Sequence, residues 1–88
     1  MLSANASLSE FIDQIADRPY DDIILLADRE ATAAQRQYYK QRTTGHPNGE
    51  MKTYALLLKD FMVYMRHGVA SRALRSADGD LLAKLPRS

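Results

Sequence analysis

Apolar residues recur every three or four positions between Asn48 and Gly68, which is the spacing of one face of an α-helix. The residues that share this face are Met51, Tyr54, Ala55, Leu58, Phe61, Met62, Met65 and Val69. Asn48 can cap the start of such a helix, and Gly68 follows two basic residues at its end. The pattern therefore predicts a helix over about 50–68 with a broad apolar face.

A second helical pattern precedes it, and the middle of its apolar face is made of alanine. The residues on this face are Ile23, Ile24, Ala27, Ala31, Ala34 and Tyr38. They predict a helix over about 22–42, with Asp21 or Asp22 as its N-terminal cap. Because small side chains let a neighbouring helix approach closely, this face complements the methionine and aromatic face of the next helix.

The segment between the two helices has the composition of a turn. It contains Gly45, Pro47 and Gly49 within residues 43–49. A short connection between two long helices normally makes them antiparallel neighbours. The sequence therefore predicts an all-α fold built on an antiparallel helical hairpin.

Weaker patterns flank the hairpin. Ser7 and Glu10 fit a capping box, which predicts a short helix over about 8–16 folded over one end of the hairpin. Near the other terminus, leucines at positions 81, 82 and 85 predict a C-terminal helical stub. The pattern leaves open whether residues 69–88 pack or fray.

The 88 residues are interpreted as a single small domain, with 1–6 and 77–88 as its loosely ordered ends. Two broad apolar faces exceed what one short helix can cover, so the hairpin is expected to assemble as a dimeric helix bundle. The residues predicted to form this packing or dimer interface are Ile24, Ala27, Ala31, Ala34, Tyr38, Tyr54, Leu58, Phe61, Met62 and Met65.

Composition indicates in which cellular compartment the protein is expected. The chain has no cysteine, which makes a reducing cytoplasm the default expectation. No apolar run approaches the length of a membrane span, and the polar start MLSANASLSE does not resemble a signal peptide. We therefore expect a cytoplasmic protein that does not enter the membrane.

The net charge of +1 conceals a strong asymmetry along the chain. Residues 1–31 carry two basic and seven acidic side chains, a net −5, whereas residues 32–88 carry ten basic and four acidic ones, a net +6. Lys52, Lys59 and Arg66 recur every seven residues opposite the apolar face, with Leu56 and Val63 beside them. This basic line is either an ordinary solvated face or a contact surface for an acidic partner.

Catalytic and metal-binding patterns are missing from the sequence. Its two histidines, His46 in the turn and His67 near a helix end, lack the spacing of metal ligands. There is no nucleotide-binding glycine loop, and adjacent Asp21 and Asp22 are interpreted as helix-capping residues. We therefore expect no enzymatic activity, no metal and no cofactor.

Two functional hypotheses remain. The first is a small regulator or adaptor that homodimerises and binds another protein, for example as an inhibitor or antiactivator of a larger regulator. The second is nucleic-acid binding through the basic helix faces, with tyrosine available for base stacking. The candidate contact residues are Arg36, Tyr39, Lys40, Arg42, Lys52, Lys59 and Arg66, and Arg29 joins them in the second hypothesis.

Overall fold

The computed structural model describes residues 3–76 and 79–86, which form helices and turns with no strand in these ranges. The helices are α1 (Ala4–Ile15), α2 (Tyr20–Thr43), α3 (Gly49–His67), α4 (Arg72–Ser76) and α5 (Gly79–Lys84). The prediction of an all-α fold is confirmed. The predicted hairpin is also confirmed, since α2 and α3 are joined by a short turn and pack against each other more extensively than any other described pair of helices.

Helix α3 is central and begins and ends where the sequence predicts. Asn48 Oδ1 accepts a hydrogen bond from Glu50 N at 3.1 Å, which caps the first turn. Gly68 adopts a φ of 72°, and its N–H donates to the Tyr64 carbonyl at 2.7 Å. Glycine suits this left-handed conformation because it has no Cβ. Val69 lies beyond this end and is 65% exposed, so its assignment to the buried face was wrong.

The start of α2 differs from the prediction. Its N-cap is Pro19, and no side chain accepts a hydrogen bond there. Asp21 and Asp22 lie inside the first turn, where their carboxylates favour the positive end of the helix dipole without capping it. At the other end Gly45, with a φ of 84°, turns the chain toward α3 as predicted.

Helix α1 starts four residues earlier than predicted, and the capping box at Ser7 does not form. Ser3 Oγ accepts from Ala6 N at 3.1 Å, while Ser7 is already inside the helix and donates its N–H to the Ser3 carbonyl. A second cap comes from α3, because Glu50 Oε2 accepts from Ala4 N at 2.6 Å. This long-range bond ties the beginning of α1 to the beginning of α3.

The C-terminal segment packs on the domain, which answers the question that the sequence left open. Ser71 Oγ accepts from Leu74 N and donates to Asp60 Oδ2, so it caps α4 and attaches it to α3. Leu74, Leu81 and Leu85 are buried in the common core. Of the predicted loose ends, positions 1–2, 77–78 and 87–88 lie outside the described residues.

One chain covers most of the apolar surface that the sequence assigned to a packing or dimer interface. The buried members of that set are Ala27, Ala31, Ala34, Tyr54, Leu58, Phe61, Met62 and Met65, while Ile24 and Tyr38 are half-buried. Phe11 of α1 meets Phe61 edge-on, with ring centroids 6.4 Å apart. The premise that these faces exceed the cover available in one chain was therefore wrong, because α1 and the C-terminal helices supply that cover.

Candidate functional site

The α2–α3 hairpin has one covered side and one open side. On the covered side α1 packs along α3, and Phe11 and Ile15 line a depression together with Leu26 and Glu30 of α2. On the other side no described helix packs: α2 packs extensively only against α3, and α4 and α5 pack against α3, α1 and each other. The open side is therefore the large uncovered surface of the described hairpin.

Side chains that project from this side follow helical spacing on both helices. We define the open face as Asp21, Leu25, Asp28, Gln35, Tyr39 and Arg42 of α2 together with Lys52, Leu56, Lys59, Val63 and Arg66 of α3. Four large apolar side chains lie on it about half-exposed, namely Leu25 (48%), Tyr39 (51%), Leu56 (52%) and Val63 (47%). Single exposed apolar residues are ordinary, but four on one side of a hairpin are more typical of an interaction surface.

At the end of the open face nearest the α2–α3 turn, the helices enclose a small groove of about 160 Å³. We call it the basic groove; its lining residues are Gln35, Tyr38, Tyr39, Arg42, Lys52, Ala55, Leu56 and Lys59. It combines three cations with two tyrosines, and no carboxylate lines it. Its electrostatic character favours a negatively charged group.

The aromatic wall of the basic groove is organised by a tilted contact between two tyrosine rings and by a cation. The rings of Tyr38 and Tyr39 lie 5.6 Å apart at a tilted angle. Lys52 Nζ lies 5.7 Å from the centre of the Tyr38 ring, within the range of a cation–π contact. Tyr38 is therefore held by its neighbours, whereas Tyr39 remains exposed to a ligand.

The structure brings together some of the predicted contact residues and separates others. Tyr39, Arg42, Lys52 and Lys59 line one groove, and Arg66 lies further along the same face. The remaining predicted residues of α2 do not join them. Arg36, which points in nearly the same direction as Leu25, lies at the outer edge of the open face, and Lys40 points further away from α3; neither lines the groove.

Arg29 lies on the covered side of the hairpin, where it lines the depression beside α1. The single basic surface that the sequence suggested for α2 is therefore not formed. Arg42 faces α3, while the other three basic residues of that set point elsewhere.

Sequence reasoning missed the contribution of Asp21, Leu25 and Asp28 to the same face. Their spacing of three and four residues is a helical signal, and it continues to Gln35 and Tyr39. What periodicity cannot supply is which side of α2 stays open, since that depends on where α1 packs.

A polar pair lies inside the covered side. Tyr54 Oη donates to Glu30 Oε1 at 3.2 Å, and this side chain links α3 to α2. Burial, followed by the charge and hydrogen bond of Glu30, raises the pKa of the Tyr54 hydroxyl well above its ordinary value. The sequence predicted Tyr54 as a packing residue but gave no sign of this hydrogen bond.

Within residues 3–76 and 79–86, no group of three or more His, Cys, Asp or Glu side chains is arranged to hold a metal ion. Both histidines are exposed, His46 in the turn and His67 at the end of α3. None of the described helices combines the length and the apolar character needed to cross a membrane.

The fold and the open face define a small all-α hairpin protein with an uncovered amphipathic surface among its described residues. Comparison with protein-family models, with curated proteins and with solved structures found no match to this chain. Functional inference therefore depends on the geometry and chemistry of the open face.

Proposed function

We propose that this protein is a small non-enzymatic helical regulator or adaptor that forms a homodimer and binds another protein, for example as an inhibitor or antiactivator of a larger regulator. The observation that carries the proposal is the open face. It presents four half-exposed apolar side chains, and charged residues flank them on both helices. Such a surface gains free energy when apolar area is removed from water.

The chemistry of α3 favours a protein partner with acidic and apolar groups. Leu56 and Val63 are exposed beside Lys52, Lys59 and Arg66. Apolar contacts provide affinity, while cations steer and orient an acidic segment. An amphipathic helix laid between α2 and α3 is one established way of using such a groove.

Photocrosslinking tests this proposal at a defined position. A benzophenone amino acid replaces Leu56, and the protein is irradiated in a lysate of its source organism with and without nuclease. We expect a nuclease-resistant product with another protein. The matched control places the same group at Gln14 of α1, which is exposed and lines the depression on the covered side. Equal products at both positions, or none at Leu56, would contradict the proposal.

Nucleic-acid binding is the second candidate, and the basic groove is the observation that favours it. Arg42, Lys52 and Lys59 are available for phosphates, and exposed Tyr39 is available for base stacking. The acidic residues Asp21 and Asp28 at the far end of the open face limit how far a strand can extend.

Electrophoretic retardation of single-stranded DNA and RNA separates the two candidates. Three phosphate contacts predict a log–log salt dependence with a slope of about −2. Lys52→Glu combined with Lys59→Glu should abolish such binding. If the unmodified protein gives no retardation at low salt, nucleic-acid binding is excluded.

A further inference from the structure

We propose that a second copy of this chain covers the open face, in a two-fold pair in which α2 of each copy lies over α3 of the other. This inference rests on the homodimer in the proposed function and supplies its surface and orientation. The residues predicted for the dimer from sequence are mainly buried within one chain, so the pairing surface has to be a different one.

The two helices of the open face carry opposite charge where they flank apolar residues. On α2, Asp21 and Asp28 flank Leu25, and on α3, Lys59 and Arg66 flank Val63. Within residues 3–76 and 79–86 the one ion pair joins Lys84 to Asp13, on another part of the surface. The charges of the open face thus have no ion-pair partner in the described part of their own chain.

Contacts between the helices fix which residues lie at the same height along the hairpin. Tyr54 bonds Glu30, and Lys52 lies over Tyr38. An antiparallel register midway between these two contacts places Asp28 level with Lys59. By the same register, Asp21 is level with Arg66, and Leu25 is level with Val63.

A two-fold axis that lies in the interface and runs along the hairpin keeps each residue at its height and exchanges α2 with α3. Asp28 of one copy then lies over Lys59 of the other, and Asp21 lies over Arg66. Leu25 lies over Val63 between these charged pairs. Each contact occurs twice because the interface is isologous, and the assembly closes at two copies.

The alternative two-fold axis, perpendicular to the helices, lays α3 over its own copy. Lys59 is near the middle of α3, so this arrangement brings the two copies of Lys59 together. Like charges at an interface disfavour association. Charge complementarity therefore selects the arrangement in which α2 lies over α3.

The open face has the dimensions of a small specific interface. The 19 residues of α3 span about 28 Å at about 1.5 Å per residue, and two adjacent helices are about 20 Å wide. When two such faces pair, their projected areas sum to on the order of 1,100 Å², which is near the lower end of the area buried in stable interfaces. We therefore expect a dissociation constant in the micromolar range, because small interfaces with few anchors bind weakly.

Self-pairing and partner capture use the same basic residues of α3, so they exclude each other. The homodimer keeps its own acidic residues over this surface until a stronger acidic partner displaces the second copy. Dissociation would then accompany activation of the binding function.

Complementary charge reversal tests the pairing surface. Sedimentation equilibrium is measured for Asp21→Lys/Asp28→Lys, for Lys59→Glu/Arg66→Glu and for their equimolar mixture. We expect each variant alone to dimerise about tenfold or more weakly, since about 1.4 kcal/mol corresponds to a factor of ten. The mixture should recover dimers close to the native affinity, and circular dichroism checks that both variants remain helical. If the mixture stays monomeric, the charge pairing is wrong.

Single cysteines test the orientation, because the native chain contains no cysteine. Leu25→Cys protein is mixed with Val63→Cys protein under mild oxidation, and the products are separated by mass. The heterodisulfide should exceed both homodisulfides. Gln14→Cys of α1, on the covered side, is the control and should remain reduced. Predominant homodisulfides would overturn the proposed orientation.

Failure of this inference is distinguishable from failure of protein binding. A monomer at about 500 µM and low salt, well above the micromolar constant expected for this interface, would overturn self-pairing. Photocrosslinking at Leu56 to a different protein would still support the binding function. Asp21→Lys/Asp28→Lys should retain that crosslinking because it leaves the basic residues of α3 unchanged.

Discussion

Both sides of the α2–α3 hairpin carry apolar residues of the same two helices, but other helices cover only one of these sides. Leu58 and Phe61 of α3 are completely buried beneath neighbouring helices, whereas Leu56, two residues away, is 52% exposed. The difference does not arise from side-chain hydrophobicity, since leucine occurs on both sides. It arises from the positions of α1, α4 and α5, which leave one side of the described hairpin uncovered.

The largest expected effect distinguishes Leu58 from Leu56. Leu58→Asp places a carboxylate in the apolar core, where desolvation of a charge without a partner costs several kcal/mol. Total stability for a small domain is about 5–15 kcal/mol, so we expect this variant to be largely unfolded by circular dichroism.

Leu56→Asp is the matched control on the open face. It should retain native helicity and change the free energy of unfolding by less than about 0.5 kcal/mol, because exposed substitutions are usually tolerated. It should nevertheless weaken self-association in sedimentation experiments. Unfolding of both variants would show that Leu56 belongs to the core.

The next effect concerns the close packing of α2 on α3. Ala31→Leu inserts a large side chain where alanine is buried against the facing helix, and overpacking of this kind costs about 1–3 kcal/mol. Ala33→Leu is the control, since Ala33 is exposed on the same helix. The midpoint of urea denaturation of Ala33→Leu should be close to that of the native protein. Equal stability of both variants would contradict close packing at Ala31.

The hairpin was predictable from sequence because the signals that define it are local. These signals are the apolar spacing, Asn48 as a cap, Gly45 in the turn and Gly68 at the end of α3. Each depends on nearby residues and appears in the fold as expected. The start of α1 was not predictable in the same way. One of its caps is Glu50, which is distant in sequence and close only after α1 has packed on α3.

The site was predicted in part for the same reason. Lys52 and Lys59 were identified with Leu56 and Val63 because all four lie on one helix. Their grouping with Asp28 of α2 depends on which side of the hairpin α1 covers. Periodicity gives the direction of each side chain relative to its own helix, whereas the open side is defined only by tertiary packing.

A smaller and pH-dependent effect is expected at Tyr54 on the covered side. Tyr54→Phe removes the hydrogen bond to Glu30 and should cost about 1 kcal/mol near neutral pH. The raised pKa of Tyr54 means that the folded state retains the phenolic proton more strongly than the unfolded chain. Its contribution to stability is therefore complete below the unfolded pKa of about 10 and is lost progressively as pH rises above it.

Denaturation curves between neutral pH and pH 11 measure this linkage. The stability difference between native protein and Tyr54→Phe should shrink above about pH 10, because only the native chain must ionise this hydroxyl on unfolding. The other tyrosines are present in both proteins and cancel in the comparison. A difference that stays constant with pH would mean that Tyr54 titrates normally.

The smallest expected effect compares Lys84, which joins α5 to α1 on the covered side, with Lys59, which lies on the open face. Lys84 Nζ donates to Ser9 Oγ at 2.8 Å and to Asp13 Oδ2 at 3.2 Å, joining α5 to α1. Both ionic side chains are substantially exposed, so Lys84→Ala should lower the free energy of unfolding by less than about 1 kcal/mol. Salt should reduce this loss because it screens the native ion pair.

Lys59→Ala should leave the unfolding curve unchanged but weaken dimerisation in sedimentation experiments, since Lys59 has no ion-pair partner within the described residues. If Lys84→Ala weakened dimerisation more than Lys59→Ala, the assignment of the two sides would be reversed.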